Sequence, residues 1–534
     1  MMCRWRSAGS MRRSVKKISI RWPCSSERGP ARTAGSHEEE LPTMPPAPPE
    51  EEMRTFWRLR SGCTIHHEEG GQDDGAARLT VRYADNAYPI GACAAASALA
   101  LDRLREGCDE PRLAEAAAQE GADAIAIAHC LHLLVVLRRY GFVNEVIAGA
   151  AGEYAAREPM SSHLSFASSP LPQARQARLR LSRFALLSRH EGEAVLESPL
   201  SSWRIRIHDP AAAILICRLM GEGMTVAAIE EAGKRARTLA GWLLACNLAG
   251  EIDAEGHLPE DTDPDLRFWE FHDLLHARRS RSGGHDHPLG ATFPGRGIVE
   301  PLPAVKPAMV SRAQDIVPLP RADLESACRD DPPFQAVVEA RHSIRAHGRD
   351  PIRLEQVGAF LYRSARLIER VPPAPEHELF YEASRRPWPC GGAAYETEIY
   401  LTINNCEGLD RGIYHYDPEH HRLERLSRDE GMVDALIETA WHSAAQTVRP
   451  QLLLTLTARM RRLSWKYRGM AWAVALKHAG VLYHAFYLTA TTMGLAPCGL
   501  GGGNTELVAR AIGIAPAVEM PIGEFMLGSL PEQP

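Results

Sequence analysis

The chain has 534 residues, 45% of them hydrophobic and 24% charged, a soluble globular composition with too much chain for one core, so two to four domains are expected. The net charge of −6 gives no general attraction to nucleic acid or a membrane surface, and no apolar run reaches the roughly 18–20 uncharged residues of a membrane span. The 12 cysteines are scattered, with no CxxC and no Cys/His cluster, which argues against a metal site and for free thiols in a reducing cytoplasm.

Residues 1–54 open basic and rich in Ser and Arg, without the apolar core of a secretory signal, and then turn to "SHEEELPTMPPAPPEEEM". Two readings stay open here: a disordered tail, or a true start at Met44 or Met53. Residues 55–151 begin with two alternating strand patterns, "RTFWRLRSGCTI" and "RLTVRYAD", and continue with helical periodicity to "IAHCLHLLVVLRRYGFV". Residues 181–263 repeat that order: strand pieces, then "PAAAILICRLMGEG", a second helix, and a third ending "LAGEI". The repetition reads as two winged-helix-like units. Neither third helix is a basic recognition helix, so DNA readout is not expected; docking of a peptide or protein and a scaffold that only packs against the rest stay open with similar weight. Residues 277–322, rich in Gly, Pro, His and Arg, read as a linker. Residues 323–534 mix helices with strands such as "ETEIYLTINN" and "QLLLTLTARM", an α+β pattern.

Four short stretches of this last region could carry chemistry. In "RHSIR", Arg341, Ser343 and Arg345 alternate, so an extended backbone would point two guanidiniums and a hydroxyl one way, as a phosphate needs; alone, the stretch reads first as a solvated charged turn. In "RPWPCGGAAYETEIY", Gly391 and Gly392 let backbone amides approach a flat ring, although a plain turn entering a strand has the same composition. No histidine or helix N-terminus is evidently placed to activate Cys390. The glycine-rich loop from Gly499 to Gly503 precedes a helix start near Asn504 and could hold an anion, but it matches neither GxGxxG nor GxxxxGK[ST]. Finally, Lys466 and Tyr467 stand before a long apolar helix, where they are either surface residues or an acid/base pair at the mouth of a site.

Taken in order, "RHSIR", "RPWPCGGAAYETEIY", "GLDRGIYHYDPEHHRLERL", "TARMRRLSWKYRGMAWAVALKHAG" and "LAPCGLGGG" resemble the SagB/ThcOx-type azoline dehydrogenases of the nitroreductase-like superfamily. The Trp-Lys-Tyr element separates this group from generic nitroreductases. The resemblance implies an FMN-binding domain with an antiparallel-rich sheet flanked by helices, a homodimer, and winged-helix peptide-clamp units ahead of it. It also implies oxidation of thiazoline or oxazoline rings in a ribosomally made peptide, with cyclodehydratase partner proteins. Carried over by residue, Arg341, Ser343 and Arg345 would hold the FMN phosphate and ribityl chain, with His342 standing where a second arginine is usual. Pro389, Cys390, Gly391 and Gly392 would lie against the flavin ring, Cys390 in place of the common serine. Leu500, Gly501 and Gly502 would form the C-terminal flavin loop. Tyr467 would take the proton of the ring carbon, its pKa lowered by Lys466, or the two would share that task. An NAD(P)H-dependent reductase and a non-catalytic peptide-binding subunit are the rival readings.

Overall fold

The structure, a computed structural model, describes residues 53–69, 76–83 and 86–532; the tail read from the sequence lies outside them up to Glu52. Among the described residues, no helix is long and apolar enough to cross a membrane.

In the N-terminal half the expected order of elements repeats. Helices Ala95–Leu101, Glu110–Gln119 and Ala124–Tyr140 are followed by Pro210–Met220, Val226–Glu231 and Lys234–Ala245. Their starts are local in origin: Asp109, Asp123 and Asp209 each cap a helix by accepting a backbone N–H one to two residues into its first turn. The strand pairings repeat as well. Arg54–Leu59 pairs with Val143–Gly149 and, through Trp57, with Cys108. Likewise Arg178–Leu181 pairs with Ala249–Glu251 and with Met224–Thr225. The two expected units are nevertheless not separate bodies. One six-stranded antiparallel sheet runs through both, joined where Gly152–Pro159 pairs with Trp203–Ile207, and one hydrophobic cluster spans both halves.

That joint carries buried charge. Glu158 accepts from Arg60 (2.9 Å) and Arg204 (3.1 Å), with Arg206 bonded to its other oxygen. Arg204 also bonds Glu197 (2.6 Å) and Asp286 (3.1 Å). Burial would push the Glu197 carboxyl up, but a hydrogen bond from His287 and the guanidiniums of Arg279 and Arg204 hold it down to about 2. Asp286, His287 and Arg279 belong to the expected linker and the helix before it, so the linker is tied into the sheet rather than free. Beyond the tie it becomes a strap. Gly290 and Arg468 exchange backbone hydrogen bonds (3.0 and 2.9 Å), and Phe293 N–H and Gly295 N–H donate to the carbonyls of Lys466 (3.0 Å) and Trp465 (3.1 Å). The Trp465 indole donates to Val299 (2.6 Å), and a Cβ on Gly295 would overlap that ring.

The C-terminal half is the expected antiparallel sheet flanked by helices. Its seven strands run in the order Ile316–Pro318, Arg422–Ser427, Gly412–Asp417, Thr397–Ile403, Leu452–Ala458, Met520–Ser529, Leu495–Leu500. Helices Leu354–Ala365 and Ala471–Thr492 pack on one face around Phe360, Leu401, Leu454 and Phe486. Helices Glu430–Ser443 and Thr505–Ile512 pack on the other around Tyr400, Ile437, Leu453 and Val508. The central strands are therefore buried on both faces, which is why they read as near-continuous apolar runs.

Because Glu197 is held well below the ordinary carboxylate range, it stabilises the fold above about pH 4.5, and that contribution is lost as pH falls toward 2. Glu197→Gln should cost about 3 kcal/mol at pH 7 and flatten the acid dependence of the melting temperature. An unchanged acid limb in thermal melts would show that the network does not couple to folding.

Candidate active site

The Ala471–Thr492 helix is the spine of the site. Its buried positions Val474, Ala475, Ala479, Leu482, Phe486 and Ala490 fix one face against the sheet. Burial of the larger of these at roughly 1.5–3 kcal/mol each leaves its orientation little freedom. Lys466 and Tyr467 sit just before it, after the short helix Met460–Ser464 and ahead of a turn at Gly469. That turn requires glycine: φ is +73°, and a Cβ would lie 2.7 Å from the Pro288 carbonyl. The Lys466 ammonium donates to the Tyr381 hydroxyl (2.7 Å), which in turn donates to the Gly392 carbonyl. Gly392 has φ +63°; a Cβ there would overlap Lys466 Nζ and lie 2.8 Å from the Tyr467 hydroxyl and 2.9 Å from that of Tyr381. Within one chain, then, Lys466, Tyr467, Tyr381 and the Pro-Cys-Gly-Gly turn converge on one point. Arg462 is not a surface neighbour of the pair. It is buried and bonds the carbonyls of Ala394, Leu302 and Glu382, tying the turn, the strap and the Tyr381 segment together.

The expected lowering of Tyr467 is not what the geometry gives. Burial pushes the phenol up, the Lys466 ammonium pulls it down, Tyr381 adds to the rise, and the net direction is upward. Desolvation penalises phenolate more than one partly exposed ammonium favours it. The resting phenol is protonated.

A second correction concerns Cys390. A histidine is placed beside it after all: His478 Nδ1 lies 3.5 Å from the sulfur. The Gly391 N–H donates to Nε2 (2.7 Å), so Nδ1 carries the proton and faces Glu396 Oε1 at 2.8 Å. Both ring nitrogens are engaged, and His478 has no lone pair left for the thiol or for an ion, although Cys390, Glu396 and His478 bring ligand atoms within 4.8 Å of one another. Burial and then the Glu396 charge push the thiol up, so Cys390 is a neutral packing group rather than a nucleophile. Glu396 and His478 instead orient the Gly391 amide.

The other two stretches meet farther along the helix. Arg341 stacks over the Tyr487 ring at 5.2 Å, and the Ser343 hydroxyl bonds the Tyr487 hydroxyl (2.8 Å), which also accepts from the Gly499 N–H (2.7 Å). His342 turns away, exposed, with Nδ1 against the Ala340 carbonyl (2.8 Å). Among the described residues no carboxylate pairs with Arg341 or Arg345, so two uncompensated guanidiniums and a hydroxyl fit an anion. Next to this cradle, Leu500, Gly501, Gly502 and Gly503 line a cavity of about 360 Å³ with Trp472, Leu476, Gly480 and Tyr483 of the helix and Glu524 of the last strand. Tyr487 is sixteen residues beyond Ala471, about 24 Å along the helix axis, so the anion cradle and the Lys466–Tyr467 cluster stand at opposite ends of the spine.

The sequence reading missed Tyr381, Glu396, His478 and Glu524. His478 had a signal, a polar residue in an apolar helix; Tyr381 and Glu396 had none, because their partners lie 85 and 82 residues away. Gly392→Ala should destabilise the protein by about 1–3 kcal/mol through both backbone strain and the overlap with Lys466, which a thermal melt checks.

Residues 338–529 match the nitroreductase family, and residues 179–286 match the family of cyanobactin oxidase ThcOx. The Methanocaldococcus jannaschii protein "Putative nitroreductase MJ1384" is 23% identical over 192 residues, 36% of this chain and 90% of its own. The microcin B17-processing protein McbC of Escherichia coli is 26% identical over 136 residues, 24% of this chain; the match spans 49% of McbC, about half its length. Among solved structures, the E. coli microcin synthetase McbBCD complex with truncated pro-MccB17 bound holds a chain 18% identical to this one, over 48% of this chain and 91% of its own, at a TM-score of 0.31. The ThcOx match falls on the second repeat and ends just before the strap, and the nitroreductase match covers the site residues from Arg341 to Glu524, so residues 338–529 are related to the nitroreductase family and carry its fold.

Proposed function

We propose that the protein is an FMN-dependent dehydrogenase that converts thiazoline or oxazoline rings in a ribosomally made peptide to thiazole or oxazole. The observation that carries this reading is the convergence of Lys466, Tyr467 and Tyr381 on Gly392 of the Pro-Cys-Gly-Gly turn. FMN, when bound, supplies the two-electron acceptor. Arg341, Ser343 and Arg345 would hold its phosphate, and Gly501 and Gly502 would form the loop beside its ring. Leu500 is buried among Cys498, Leu507 and Met526, and Pro389, Cys390 and Gly391 would offer the ring a surface without ionised side chains.

The chain's own acid/base work is the removal of the proton from the ring carbon beside nitrogen. Tyr467 accepts it once its own proton has left, and Lys466 stabilises the phenolate that this requires. Tyr381 holds the Lys466 ammonium in place. The distance between the anion cradle and the Lys466–Tyr467 cluster supports a homodimer, in which one subunit holds the phosphate end and the other presents the base. The ThcOx match in the second repeat supports peptide docking by the N-terminal half, and the likeness to McbC supports a place beside cyclodehydratase partners.

The test is anaerobic addition of an azoline-containing peptide to the purified protein while the visible flavin spectrum is followed. Bleaching by peptide is expected, slowed about 10²–10⁴-fold in Tyr467→Phe. Bleaching by NAD(P)H and not by peptide would replace this reading with a small-molecule reductase; a protein that cannot take up FMN would leave only peptide docking. Because the Tyr467 phenol is raised, kcat/KM should climb with pH through the neutral range without a plateau below about pH 9. A plateau near neutrality would place the base elsewhere. Tyr381→Phe should lower kcat with little change in KM, since it acts through Lys466.

A further inference from the structure

Glu524 has no role in the proton transfer just described. It lies on the Met520–Ser529 strand, opposite Leu500 on one side and Thr455 on the other, and its side chain lines the cavity beneath the glycine loop. It is 7% exposed, and among the described residues its carboxyl has neither a hydrogen-bond donor nor a cation. Buried carboxylates are normally paired, so an unpartnered one aimed into a cavity calls for an occupant.

The loop is shaped around this carboxyl. A Cβ on Gly503 would overlap it, whereas one on Gly501 would meet nothing within 4 Å. The Gly503 backbone thus lies directly against the Glu524 carboxyl, and a side chain there would push that carboxyl aside. Tyr483 completes the arrangement by donating its hydroxyl to the Glu524 backbone carbonyl (2.8 Å), and a Cβ on Gly523 would overlap that phenol. The remaining faces of the cavity are neutral: Trp472, Leu476, Ala479 and Gly480 from the long helix, Thr505 from the helix after the loop, and Pro521 and Ile522 from the strand itself. Tyr483 is the other titratable lining group, and burial pushes its phenol up, away from the neutral range. Burial alone likewise pushes the Glu524 carboxyl up to about 7. Below that pH the group is an O–H donor; above it, a negative charge.

We propose that the Glu524 carboxyl donates a hydrogen bond to the acceptor edge of a planar heterocycle held in this cavity, the flavin ring of the function proposed above, and that its ionisation weakens ring binding. The inference rests on that flavin reading. The sign follows from linkage: if the bound ring is preferred by the protonated carboxyl, binding takes up a proton above about pH 7 and affinity falls as pH rises.

The experiment is fluorescence titration of the flavin-free full chain between pH 5.5 and 8.5, with FMN and with riboflavin. Riboflavin carries the ring without a phosphate, which removes the phosphate's own ionisation near pH ~6 from the comparison. Wild-type affinity for both is expected to fall by up to about tenfold per pH unit above about 7. Glu524→Gln, which keeps a donor without a charge, should bind like wild type at pH 5.5 and stay flat to pH 8.5. Gly503→Ala, which displaces the carboxyl, should weaken both ligands at pH 5.5. A wild-type profile that is flat, or one that Glu524→Gln leaves unchanged, overturns this inference and leaves the flavin reading standing. Failure of wild type to bind FMN at any pH overturns both.

Discussion

Burial of the Ala471–Thr492 helix against the seven-stranded sheet is the constraint on which the site depends. A helix of 22 residues held along one apolar face cannot slide or rotate without exposing Phe486, Leu482 and Val474. Every polar group that leaves it in another direction is therefore fixed in space. Lys466 and Tyr467 emerge at its start, His478 reaches the Gly391 amide from its first half, Tyr483 meets the last strand, and Tyr487 gathers Arg341, Ser343 and Gly499 near its end. The chemistry is arranged along a rigid rod.

The rod's N-terminal end is also held from outside. The strap from Gly290 to Ala304 binds the backbone of Trp465, Lys466 and Arg468 and the side chains of Arg459, Arg462 and Trp465. Its other end enters the charged joint of the N-terminal sheet through Asp286. Buried guanidiniums and carboxylates are costly unless mutually paired, so the joint is cooperative: loss of one partner strands the others. The same strip of chain thus bears on both the six-stranded sheet and the backbone of the Lys-Tyr element. The segment that composition marks as a linker is one of the most constrained parts of the site.

Charge inside the site follows burial more than sequence proximity. Arginines at 461, 462 and 468 beside Lys466 and Tyr467 suggest a field that favours phenolate. In three dimensions Arg462 spends its donors on carbonyls, and desolvation raises Tyr467. Cys390, Tyr381 and Glu524 follow the same rule, each shifted toward its neutral form by the loss of water. Below about pH 7 the Glu524 carboxyl in the wall of the proposed ring site is therefore neutral, while Lys466 stands at one end of the helix and the Arg341–Arg345 cradle near the other.

The sequence by itself determined the elements and the stretches that matter. Alternating runs in "RTFWRLRSGCTI" and "RLTVRYAD", apolar runs in "ETEIYLTINN" and "QLLLTLTARM", and the repeated order of the N-terminal half are local signals, and the structure carries them as strands and repeated pairings. The RxSxR, Pro-Cys-Gly-Gly, Lys-Tyr and glycine-loop stretches were legible too, because each is a short run whose residue types suit one ligand chemistry. Tertiary structure alone decided how they combine. It joined two apparent units through one sheet, turned a linker into a strap, set Lys466 against Tyr381 and His478 against the Gly391 turn across more than eighty residues of chain, and left Glu524 without a partner. Those outcomes depend on which groups burial brings together and which it strips of water, and neither is encoded in the spacing of neighbours along the chain.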